Sequence, residues 1–132
     1  MTTSVPLSGR SLQAALTVKD LDKSVAWYVD VVGFAIDRKI DRGGALRAVA
    51  VRAGDVRLLL NLDDGAKGWN RAKGEGISLQ IAVAQDVDAL ARRIKERGGV
   101  LLTEPTDMPW GARIIRAADP DGFRLTFSAS TA

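Results

Sequence analysis

Apolar and polar positions along the chain fall into two successive copies of one pattern. In the first copy "SLQAALTV" (residues 11–18) is a short run rich in apolar and β-forming side chains, and it predicts a strand. Asp20 follows as a helix N-cap and opens "LDKSVAWYVDVVGF", where Val25, Tyr28, Val29 and Val32 recur at helical spacing. Gly33 stands where a helix C-cap belongs. "FAIDRKI", "ALRAVAVRA" and "VRLLLNL" predict three further strands, set apart by the turn signals "DRGG" and "GD".

The second copy repeats the order. "ISLQIAVA" predicts a strand, Asp86 a cap, and "VDALARRIKERGG" a helix with Val87, Leu90, Ala91 and Ile94 on one face before Gly98. "VLLTE", "ARIIRAA" and "FRLTFSA" supply its remaining strands. Asp86 lies 66 positions after Asp20, and Asp121 of "DPDGFRLTF" lies 67 after Gly54 of "GDVRLLL". Two landmarks with nearly one offset mark an internal repeat rather than shared composition. The expected class is α+β: one domain over residues 1–132, with βαβββ modules at 11–62 and 77–128 joined by a polar loop at 63–76. Each module has one helix to cover one face of four strands. Joining two modules is expected to give a curved mixed sheet with helices outside and a concave face for a ligand.

Three stretches, "VKDLDKSVAWYVDVVGF", "DVDALARRIKERGG" and "DPDGFRLTF", resemble the vicinal-oxygen-chelate superfamily from about Leu12 to Phe127. That superfamily includes glyoxalase I, bleomycin-resistance proteins, extradiol dioxygenases and fosfomycin-resistance enzymes, so the resemblance implies a fold and not one chemistry. "LNLDDGAKGW" and "EPTDMPWGARIIRAADPDGF" are similar to a glyoxalase- or bleomycin-resistance-like group with no assigned substrate. In metal-using members a ligand stands seven residues before each capping Asp, and a carboxylate stands late in each module's last strand. The resemblance therefore assigns those positions to Gln13, Leu79, Leu59 and Thr126. Neither leucine has a lone pair to offer, Thr126 is a neutral hydroxyl, and Gln13 with nearby Asn61 supplies amide oxygens without charge. A one-residue slip brings in Leu60, Ser78, Gln80 or Phe127, and no carboxylate. Divalent ions at sites with open positions need about three protein ligands with compensating charge. No metal and no cofactor are expected.

Composition narrows the chemistry further. The chain has no His and no Cys, which removes the commonest catalytic base, thiolate ligands and disulfides. No nucleophile–base pair is visible. The net charge is +3 with Lys and Arg scattered among Asp and Glu, so no nucleic-acid stripe is expected and the balance favours a neutral or anionic small ligand. No apolar stretch of signal-peptide length opens the chain and no later run could span a bilayer. A cytoplasmic protein without a membrane partner is expected.

Period-two alternation aims Gln13, Arg57, Leu59 and Asn61 into the cup together with Thr126, with Leu79, Ile81 and Val83 as its apolar floor. Trp69 and Trp110 lie in loops and would stack on a planar guest, or else cap the core rim or a dimer contact. Arg113, if inward, would meet an anionic group of the guest or a neighbouring Asp or Glu. The loop at 63–76 is long and polar enough for a lid. The leading expectation is a metal-free protein holding a small organic ligand, neutral or anionic and aromatic or amphipathic. The alternative is a glyoxalase-like lyase or isomerase with an atypical or partner-completed site. The resemblance also implies a homodimer, with each cup built by one chain or by two.

Overall fold

A computed structural model of the chain describes residues 5–131. Its elements follow the duplicated pattern: β1 (Gln13–Val18), α1 (Leu21–Ala26), β2 (Ala35–Arg42), β3 (Ala45–Ala53) and β4 (Val56–Leu62), then β5 (Ser78–Ala82), α2 (Val87–Glu96), β6 (Leu101–Met108), β7 (Ala112–Ala118) and β8 (Arg124–Ser130). Asp20 caps α1 by accepting the Lys23 N–H at 3.1 Å, and Asp86 caps α2 by accepting that of Asp88 at 3.0 Å. α1 runs on as a π-helical segment, Trp27–Val32, closed at Gly33 with φ of 112°. In that wider turn the neighbours Trp27 and Tyr28 are both buried, and the Tyr28 ring meets Trp27 and Phe34 edge-on.

Within each module the first and last strands pair in parallel and the others antiparallel. The strands form two four-stranded sheets, ordered β1-β4-β3-β2 and β5-β8-β7-β6. The expected class holds, but the two sheets stay separate instead of joining into one. What unites the modules is their helix-facing sides, which share one core: Val18, Leu60 and Val51 from the first sheet, Phe127 and Ile115 from the second, with Tyr28 and Ile94 between. α2 lies against the π segment, where the Arg93 Nε donates to the Val31 carbonyl (3.3 Å) and the Arg97 Nη1 to that of Asp30 (3.1 Å). Those carbonyls end a helix and lack donors of their own. Among the described residues no helix is long and apolar enough to cross a membrane.

The register corrects one expectation. Gln13 lies opposite Arg57, and Ser78 lies opposite Arg124, the residue 67 positions after Arg57. Ser78, 65 positions after Gln13, is thus its counterpart, and the approach to Asp86 is one residue longer than that to Asp20. A one-residue shift turns a whole strand over. Leu79 and Ile81 therefore pair with Leu125 and Phe127 and pack on the core, while Ser78, Gln80 and Ala82 are exposed on the concave side. The apolar alternation of "ISLQIAVA" marks the strand's core face, not the floor of a cavity.

Candidate functional site

The concave face of the first sheet is a grid of three rows. Gln13, Ala15 and Thr17 of β1 stand beside Arg57, Leu59 and Asn61 of β4, and these beside Arg52, Ala50 and Ala48 of β3. Arg38 and Ile40 of β2 extend the last two rows. Four expected site residues, Gln13, Arg57, Leu59 and Asn61, thus share one face. Gln13 and Arg57 line a hollow of about 250 Å³ with Asp37, Arg38 and Ala50. Asn61 lines a neighbouring hollow of about 530 Å³ with Ile40, Arg42, Arg47 and Ala48. Arg38 was not legible from parity because β2 and β3 slip register between Ile36 and Arg38.

On the second sheet Thr126 sits between Gln80 and Arg116, and Arg124 pairs with Ser78 and Ala118 on the same face. Thr126 is buried beneath these longer neighbours. Arg116 escaped the sequence reading, although the pairing of "ARIIRAA" with "FRLTFSA" would have placed it opposite Thr126. Arg113 has the other parity and faces α2. Its guanidinium grips both oxygens of Asp88 (Nε 2.8 Å, Nη2 3.0 Å) and one of Asp107 (3.0 Å). The bidentate bond holds the Asp88 carboxyl below the usual range and raises the guanidinium. Arg113 is a tie between β7 and α2, outside the cup. Trp110 is exposed at the β6–β7 turn, and Trp69 is half exposed with its ring over Gly65, where a Cβ would come within 2.3 Å of it. Neither lines the two hollows.

The repeated turn motif does its work at the seam between modules. Asp119 accepts the N–H groups of Asp121 (2.9 Å) and Phe123 (2.8 Å) and, 91 positions away in sequence, the Tyr28 hydroxyl (2.8 Å). Burial raises the Asp119 carboxyl above its ordinary range against the pull of these donors, and burial beside it pushes the Tyr28 phenol far up. Asp121 accepts the Lys19 N–H (2.9 Å) and the Ser24 hydroxyl (3.3 Å) and lies 3.5 Å from Lys73 Nζ. Lys73 in turn lies 2.9 Å from Asp63, whose carboxyl is held low by the Gly65 N–H and by Lys73. The linking loop is therefore clasped at both ends instead of hanging free as a lid. Its first half borders the concave face, where Asp64, Ala66, Lys67 and Arg71 enclose about 250 Å³ with Thr17.

A divalent ion does not fit this donor set. With the register putting Ser78 in place of Leu79, the positions that the resemblance gives to metal ligands hold Gln13, Leu59, Ser78 and Thr126, all neutral. Among the described residues no three His, Cys, Asp or Glu side chains gather as a metal site. Residues 10–127 match the family model of the Glyoxalase/Bleomycin resistance protein/Dioxygenase superfamily. The chain belongs to that superfamily. Among its relatives within the superfamily, a probable lactoylglutathione lyase of Synechocystis is 29% identical over 86% of this chain and 90% of its own length. A probable lactoylglutathione lyase of Vibrio cholerae is 29% identical, covering 88% and 87%. Of the solved structures it resembles, TnmS3, an antibiotic binding protein from Streptomyces sp. CB03234, superposes with a TM-score of 0.72 at 25% identity over 96% and 99% of the two chains. TioX from Micromonospora sp. ML1 gives 0.72 at 24% over 92% and 99%.

Proposed function

We propose that the protein is a metal-free binder of small organic molecules, neutral or anionic and aromatic or amphipathic, held on the concave sheets in a cup completed by a second copy of the chain. The observation that carries this reading is that Gln13, Leu59, Ser78 and Thr126 bring no charged metal ligand, on faces where Ala15, Ala48, Ala50 and Leu59 give an apolar bed between the arginines. The likeness to TnmS3, an antibiotic binding protein, supports ligand capture. Titration with planar aromatic compounds, followed by the fluorescence of the three tryptophans, is expected to give saturable quenching that a chelator leaves unchanged. Absence of quenching across a broad panel would overturn the reading. So would a stoichiometric divalent metal whose removal abolishes binding.

The curated relatives named lactoylglutathione lyase favour a second reading, a glyoxalase-type lyase or isomerase. It requires a base in the cup, and the carboxylates of the seam are already taken up: Asp119 by three donors and Asp121 by Lys19, Ser24 and Lys73. Lyase turnover that rises with added divalent metal would establish it in place of the first.

A further inference from the structure

Basic side chains gather on the concave face of the first sheet, and their pairing is uneven. Arg52 and Arg57 are direct cross-strand neighbours, an arrangement of like charges that disfavours the sheet. Asp37 lies 3.7 Å from Arg52. Among the described residues Arg57 and Arg38, on the rim of the same hollow, form no hydrogen bond or ion pair. Three guanidinium groups on the helix side are engaged, Arg113 by two aspartates and Arg93 and Arg97 by helix-end carbonyls. Two planar forks and the Gln13 amide therefore line a space of about 250 Å³ whose one carboxylate, Asp37, lies 3.7 Å from Arg52 and is bonded to neither fork. Beside that space lie Ala50 and half-buried Leu59, which offer contact to an apolar body. On the second sheet Arg124, the repeat counterpart of Arg57, is likewise unpaired among the described residues.

We infer that the cup selects an organic acid: a carboxylate or phosphoryl oxyanion gripped by Arg38 and Arg57 with Gln13 beside them, its apolar body lying over Ala50 and Leu59. Guanidinium forks match the geometry of such oxyanions two bonds at a time. The inference rests on the ligand-binding reading above and adds the charge of the guest.

The test compares 1-naphthoate, 1-naphthyl phosphate and the neutral 1-naphthamide by calorimetry, with the arginine Nε–H signals followed by NMR. One acid is expected to bind at least tenfold more tightly than the amide and to shift Arg38 and Arg57; the tighter of the two acids identifies the oxyanion. Arg38→Gln and Arg57→Gln are each expected to weaken the acid at least fivefold and leave the amide within twofold. Lys39→Gln removes the same charge from the next residue of β2, which pairs with Val49 on the opposite face, and should change neither. Equal binding of acid and amide would overturn the inference while leaving a ligand-binding cup. A loss in Lys39→Gln as large as in the arginine variants would overturn it too, because general surface charge would then suffice. An acid bound through both arginines, but only in the presence of a divalent metal, would uphold the inference and sink the metal-free reading.

Discussion

Tyr28 and Asp119 meet at 2.8 Å in a buried position, and the physics of that one bond explains two family motifs at once. A buried carboxylate needs donors, and Asp119 takes two from its own turn and one from the first helix. Tyr28→Phe removes the third. Burial raises the Asp119 carboxyl overall while the Tyr28 bond favours its charged form, so the charge-assisted part of the bond is present above that raised value and is lost as pH falls through it. The variant is expected to lose about 1–3 kcal/mol at neutral pH, and a smaller amount near pH 3, in urea titrations at both. An equal deficit at both would mean that the bond is indifferent to the charge of Asp119. Single residues were the hardest scale to read. Gln13, Arg57, Leu59 and Asn61 share the one face that alternation gives them because β1 and β4 pair without a slip. Leu79 came out on the wrong face through one inserted residue, and Arg113 answered to Asp88, a helix neighbour that strand parity does not include.

At the scale of elements, strands and helices were legible because period-two and helical spacing alternate cleanly and Asp caps stand before both helices. The loop was not, since polar composition reads as solvated whether or not its charges find buried partners. Asp63 and Lys73 are both nearly inaccessible, and Gly74 packs on the β7–β8 turn with φ of +78°, where a Cβ would stand 2.7 Å from the Gly122 carbonyl oxygen. The Asp63 carboxyl is held low in the folded chain, so the clasp is complete above the ordinary carboxylate range and is lost as pH falls through the lowered value. Amide exchange across residues 63–76 is therefore expected to quicken in acid, relative to β3 and β4, after correction for intrinsic rates. Gly74→Ala should quicken it at neutral pH, since neither the backbone conformation nor the space admits a side chain. Unchanged protection in both cases would show that the loop is held by something other than this clasp.

At the scale of the molecule, the proposed completion of the cup by a second copy makes a prediction of its own. The chain exposes 8737 Å², against about 6,700 Å² for a compact monomer of its mass. Part of the excess belongs to the exposed segment 5–12, and the sheet faces turned away from the shared core also leave Gln13, Arg38, Arg57 and Arg124 exposed. β1 and β5 are each one of the two edge strands of their sheet, the others being β2 and β6. Both β1 and β5 begin beside an exposed apolar residue, Leu12 before β1 and Ile77 before β5, at the offset of 65 that relates the two strands. Leu12 is 88% exposed. Open edges with apolar ends favour association with another strand. A second copy that sets its β5 against β1 would cover both residues and bring the two concave faces together by an isologous contact. Sedimentation at micromolar concentration is expected to give twice 14.1 kDa. Leu12→Arg and Ile77→Arg should each yield a folded monomer, unchanged in far-ultraviolet circular dichroism, that binds the aromatic probe at least tenfold more weakly. Retention of full affinity by such a monomer would place the whole cup within one chain, and the exposed edges would then need another explanation.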